Sequence, residues 1–136
     1  APSFKSKGAK LVKVLPVSIA AHTTLMNECS NVLDKILNNV DNLNNNFLFP
    51  VIHNVDAKPK DTNSDIINAL CKQVNSPVLW TKTIESIREM SITKFIEIGP
   101  GNVLSGLNKR IASDISSVSI SNYENINVAS EMCLND

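Results

Sequence analysis

KFIEIGPGNVLSGLNKRI, residues 94–111, changes its periodicity halfway along. KFIEIG (94–99) is a short apolar run rich in β-favouring residues and reads as a strand. PGNVLSGLNKRI (100–111) reads as a turn opening into a helix, with apolar residues returning at three- and four-residue steps. A strand handing over to a helix through Gly-Pro-Gly is the basic unit of an α/β fold. The glycines allow a tight turn with positive φ. The turn is a poor phosphate cradle, because Gly99, Gly101 and Gly106 do not make G-x-G-x-x-G and Pro100 removes one backbone N–H. No G-x-x-x-x-G-K-[ST] is present. A nucleotide-binding domain is therefore disfavoured.

Moving outward, the same alternation of elements recurs. AKLVKVLPVSI (9–19) alternates apolar and polar residues and then becomes continuously apolar, which predicts a strand, with Pro16 marking an edge or bend. From Thr23 to Val40, Leu25, Met26, Cys29, Val32, Leu33, Ile36, Leu37 and Val40 recur at helical spacing, and Thr23 or Thr24 can cap the start. DNLNNN (41–46) reads as an asparagine-loaded surface loop. FLFPVI (47–52) predicts a strand, followed by the turn-forming HNVDAKP (53–59). Asp61, Thr62, Asn63 and Ser64 offer caps for a helix over 65–74, which NSP (75–77) ends. LWTKTIESIREM (79–90) predicts a further helix. SSVSIS (116–121) predicts a last strand and residues 124–133 a short last helix. The order β-α-β-α-α-β-α-β-α predicts an α/β fold with helices on a largely parallel sheet.

Composition narrows the function classes. The chain has 136 residues, enough for one ordinary domain, with 13 basic and 13 acidic residues balancing to zero. That balance argues against a nucleic-acid binder and against a polybasic membrane surface. No apolar run is long enough to span a bilayer. APSFKSKGAK at the start has no apolar core of a signal peptide. Cys29, Cys71 and Cys133 are odd in number and widely spaced, which reads as reduced thiols rather than a disulfide framework. His22 and His53 stand without spaced cysteine or carboxylate partners, so no metal is expected.

His22, in VSIAAHTTLM (17–26), is the first candidate for chemistry. It sits at a predicted strand-to-helix junction, and a helix start carries about half a positive charge. A neutral imidazole is what a general base requires, and Ala20 and Ala21 leave room beside it. The alternative is a histidine that caps a helix or satisfies a backbone carbonyl, and local sequence favours that alternative. A base also needs a nucleophile, and G-x-S-x-G is absent from these 136 residues. Ser105, in LSGL, falls inside a predicted helix, where its hydroxyl tends to bond back to the backbone. Asp56 could orient a histidine, but nothing in the sequence places it beside His22. Gln73, near a predicted helix end, means little alone.

Taken in order, these stretches resemble the C-terminal part of the malonyl-CoA:acyl-carrier-protein transacylases of type II fatty-acid synthesis. GAK followed by LPVSIAAHTTLM (8–26) resembles the family segment bearing the catalytic histidine. PVIHNVDAKP (50–59) resembles its next strand and loop. ALCKQVNSPVLWTKTIE (69–85) resembles the stretch where Gln, an Asn-containing turn and Trp recur. FIEIGPGNVLSGLNKRI (95–111) is the most specific match. The resemblance implies that a serine attacks the malonyl thioester of malonyl-CoA while His22 takes its proton as general base. The malonyl group then passes to the phosphopantetheine thiol of acyl carrier protein, with neither metal nor cofactor. It also implies that the backbone carbonyl of Gln73 orients His22.

The family fold it implies is a hydrolase-like acyltransferase domain with a largely parallel sheet. On that pattern residues 1–16 are the tail end of a ferredoxin-like small subdomain, and 17–136 the C-terminal part of the hydrolase-like one. The family's Gly-His-Ser-x-Gly elbow, its malonyl-binding arginine and part of its oxyanion hole have no match here. The partners implied are malonyl-CoA, acyl carrier protein and the missing N-terminal half of the enzyme, and the chain alone is expected to be inactive. Lys109 and Arg110 are a candidate contact for an acidic carrier protein, against the plainer reading of cations placed near a helix C-terminus. A non-catalytic carrier-docking fragment is the alternative function. The expected location is a bacterial cytoplasm or a plastid-type organelle.

Overall fold

The computed structural model describes residues 2–14, 17–40 and 47–134. A four-residue helix, α1 (Pro2–Lys5), precedes a long irregular run. Thr23 caps a 3-10 turn over Thr24–Met26, its hydroxyl accepting from the Leu25 N–H, and α2 (Asn27–Leu37) follows directly. Asn38 ends α2 by returning its side-chain amide to the Asp34 carbonyl at 2.9 Å. Next come β1 (Val51–Ile52) and β2 (Pro59–Lys60), paired antiparallel across the 53–58 turn. α3 (Asn63–Asn75) starts from Thr62, whose hydroxyl accepts from the Asp65 N–H while donating to the Asp65 carboxylate. α4 (Trp80–Glu89), β3 (Lys94–Ile98), α5 (Val103–Ile111), β4 (Ser116–Ile120) and α6 (Asn125–Leu134) complete the order.

β3 and β4 pair in parallel, Lys94 opposite Ser116 through Ile98 opposite Ile120, with α5 as the crossover. The Gly-Pro-Gly turn behaves as its composition requires. Gly99 and Gly101 take φ of +147° and +89°, and the Gly99 N–H extends the ladder to the Ile120 carbonyl at 3.3 Å. Between sheet and helices Ile84, Ala112 and Ile115 are buried, with Trp80, Phe95 and Ile111 packed on them. The Trp80 indole donates to Asn108 Oδ1, and the Asn108 amide donates to Ser117 Oγ, so the indole N–H and both ends of the buried Asn108 amide are satisfied. Elsewhere α2 packs on α3, and α6 packs on β4.

Two strand expectations fail. Residues 9–14 and 17–20 form no strand; Leu15 and Pro16 lie outside the described residues, as does the asparagine cluster 41–46. Val14 is 84% exposed, and Leu11, Val17 and Ile19 are exposed too. A period-2 pattern forms a strand only where a neighbour accepts its ladder, and this segment has none among the described residues. The run 47–52 shrinks to Val51–Ile52 for the same reason, since only Pro59 and Lys60 face it. The fold is α/β with a parallel pair, but the sheet is narrow. On β3, Ile96 and Ile98 are exposed, whereas Val118 and Ile120 beside them on β4 are half-buried where α6 packs. A parallel strand is normally covered on both faces.

Candidate active site

His22 lies between the irregular run and the 3-10 turn, with φ of +64°. A non-glycine residue held there costs on the order of 1–3 kcal/mol, so its surroundings must fix it. The backbone N–H of His22 donates to the Val74 carbonyl at 2.9 Å. Its ring Nδ1 lies 2.7 Å from the Gln73 carbonyl oxygen. The Thr23 hydroxyl donates to the Ala20 carbonyl at 2.7 Å and tightens the same bend. Both carbonyls that hold His22 belong to the last turn of α3, where helical carbonyls have no partner within the helix. Pro77 follows shortly and stops α3 from continuing.

This geometry fixes the tautomer. A carbonyl oxygen only accepts, so Nδ1 carries the proton and Nε2 is left as the acceptor. Nε2 has no partner among the described residues, and the side chain is half-buried. Thr23, not His22, is the helix cap. His22 does satisfy a backbone carbonyl, but with one nitrogen only. Its other nitrogen is free to take a proton, which is the arrangement of an oriented base.

The remaining candidates separate from this site. Gln73 meets His22 through its main chain. Asp56 is hydrogen-bonded elsewhere: it accepts from the Lys60 ammonium at 2.6 Å and from the Lys58 N–H at 3.3 Å. Burial pushes the Asp56 carboxyl up, but those two partners outweigh it and hold its pKa below the ordinary value. Ser105 is buried in α5, so it is no exposed elbow serine. Burial pushes the Cys71 thiol up and the neighbouring Asp34 carboxylate adds to this, which leaves Cys71 a poor nucleophile. Cys29 and Cys133 are exposed free thiols. Lys109 and Arg110 stand exposed in the last turn of α5, with no ion pair among the described residues. Among the described residues no three His, Cys, Asp or Glu side chains gather to hold a metal. No helix there is long and apolar enough to cross a membrane.

Two features of the site escape sequence reasoning. The Val74 carbonyl acts through its main chain and has no residue-type signature. The positive φ of His22 has none either, because histidine does not announce it as glycine does. Beside the site, Glu28, Cys29, Val32, Leu33 and Ile36 of α2 form with Val74 an open, mainly apolar groove of about 510 Å³.

No protein-family model matches the chain. Among individual proteins, the malonyl CoA-acyl carrier protein transacylase of Haemophilus influenzae is 35% identical over 127 residues, which is 93% of this chain and 40% of the relative. The solved malonyl-CoA:acyl carrier protein transacylase of Xanthomonas oryzae superposes with a TM-score of 0.86 at 31% identity, covering 96% of this chain and 41% of that one. A malonyl-transacylase solved in complex with its type II PKS acyl-carrier protein gives a TM-score of 0.82 at 34% identity, covering 96% and 41%. The chain thus spans about two-fifths of the length of the relatives it matches.

Proposed function

We propose that this chain, whose sequence and fold are those of the C-terminal portion of the malonyl CoA-acyl carrier protein transacylases, supplies the histidine half of a serine acyltransferase. The substrate is malonyl-CoA and the acceptor is the phosphopantetheine thiol of acyl carrier protein. His22 Nε2 takes the proton of a serine hydroxyl as that oxygen attacks the malonyl thioester. The coenzyme A thiolate leaves and takes that proton back from the imidazolium. In the second half-reaction Nε2 takes the carrier thiol's proton, the thiolate attacks the acyl-serine ester, and the proton returns to the serine oxygen. The Gln73 carbonyl fills the place of a triad carboxylate by holding Nδ1–H.

The single observation that carries this reading is the 2.7 Å contact from His22 Nδ1 to the Gln73 carbonyl, which leaves Nε2 free. The serine comes from polypeptide equivalent to the rest of the relatives' length. Two facts favour that source: the 136 residues hold no G-x-S-x-G, and β3 and α2 carry apolar side chains left uncovered. Lys109 and Arg110 offer a small exposed cationic patch for an acidic carrier protein.

The experiment is transfer of radiolabelled malonyl from CoA to acyl carrier protein by the 136-residue chain, alone and with the serine-bearing portion supplied. Turnover only in the second case agrees with the proposal. Turnover by the 136 residues alone refutes it. Carrier-protein binding without turnover in either case selects the docking-fragment alternative.

A further inference from the structure

The carbonyls of Gln73 and Val74 can hold His22 only if the end of α3 keeps its register against the start of α2. Two polar contacts between these helices flank that pair of carbonyls. The Asn75 amide donates to Asn27 Oδ1 at 2.9 Å, and the Ser30 hydroxyl, buried, donates to the Cys71 carbonyl at 2.8 Å. Asn27 and Ser30 lie one turn apart on one face of α2, and Cys71 and Asn75 lie one turn apart on α3. Gln73 and Val74 fall between the two latched positions of α3. On the other side, α2 starts immediately after the 3-10 turn that follows His22.

We infer that Asn27, Ser30 and Asn75 are positioning residues that lock α2 against α3 and so set the direction of the His22 ring. This rests on the reading of His22 as the general base. The apolar contacts between α2 and α3 do not fix register alone, because apolar surfaces tolerate sliding, whereas a hydrogen bond is lost within a fraction of an ångström. A helix slip of one residue moves the axis by about 1.5 Å, and a misplacement of about 1 Å in a catalytic group can cost up to about 10²-fold in rate. Ser30 has a further constraint. Its hydroxyl is out of water, so losing the Cys71 acceptor leaves it unsatisfied, which penalises other registers.

The test uses the natural polypeptide that carries these residues, with two readouts on each variant. Nitrogen-15 NMR reports the His22 tautomer, and malonyl transfer gives kcat and KM. The natural protein is expected to show the Nδ1–H tautomer. Ser30→Ala combined with Asn27→Leu is expected to admit the Nε2–H tautomer that an unconstrained histidine side chain prefers. In that variant kcat falls about three- to tenfold while KM changes less than about twofold. Asn27→Asp keeps an acceptor for the Asn75 amide and is expected to keep both tautomer and rate. An unchanged tautomer and kcat in a folded double variant overturns the inference, since a merely structural contact would lower stability and nothing else. Should the double variant not fold, Asn27→Leu alone, at an exposed site, decides by the same two readouts. A natural protein that transfers no malonyl refutes the assigned activity, while the tautomer still decides the lock.

Discussion

Ser91 closes α4 with φ of +62°, its N–H bonded to the Arg88 carbonyl at 2.8 Å. This is the left-handed position after a helix that glycine fills most readily. A side chain there costs about 1–2 kcal/mol, and glycine's extra backbone entropy returns about 0.5–1 kcal/mol of that. Ser91→Gly is therefore expected to stabilise the protein by about 0.5–1 kcal/mol, read as a shift of the urea midpoint without change of slope. His22 shares the strained φ but not the remedy, because its ring is what the strain positions. Gln73→Ala makes the complementary point. The carbonyl survives the substitution, so malonyl transfer is expected to stay within about threefold of the parent, well below the 10²–10⁴-fold associated with losing a general base. At this scale the sequence is half legible. His22 and Gln73 stand out through the family resemblance. The Asn27–Asn75 and Ser30–Cys71 contacts do not, since each joins residues more than 40 positions apart that carry no pairing signal.

α5 begins without a side-chain cap from Asn102; Glu97, at the end of β3, does the work instead. Its carboxylate accepts from the Ser105 N–H at 2.8 Å and the Leu104 N–H at 3.1 Å. The Ser105 N–H above all, with Leu104 adding to it, holds the Glu97 carboxyl below its ordinary pKa of 4.5. A carboxylate depressed in the folded state stabilises above its unfolded pKa and loses that contribution as pH falls through the folded value. Glu97→Ala is expected to lower the melting temperature at neutral pH and to narrow its gap from the parent below pH 4.5, as the parent's own Glu97 protonates. An equal gap at neutral and strongly acid pH would contradict the capping role. The helices are legible because their 3.6-residue pattern and threonine caps are local, and β3 and β4 are legible as short β-rich runs beside them. The strand expected over 9–19 was not, because a strand depends on a partner that the pattern cannot name.

The molecule as a whole is a narrow α/β structure with a small core. Ile84, at 0% exposure, is the largest fully buried side chain among the described residues, while Ile98 at the end of β3 is 83% exposed. On the proposed reading further polypeptide covers these exposed faces; the relatives are about 2.3 times as long as this chain. The order of elements was legible from 63 onward because each helix follows its strand or turn closely. The width of the sheet was not, since nothing in a two-strand pattern states how many strands flank it. The measurement that bears most directly on the central claim is malonyl transfer to acyl carrier protein by the natural polypeptide, parent against His22→Ala, both shown to be folded. A loss of about 10³-fold or more in kcat/KM is the result predicted for an oriented general base. Activity within about tenfold of the parent would contradict it and return His22 to the role of a histidine that merely found a carbonyl.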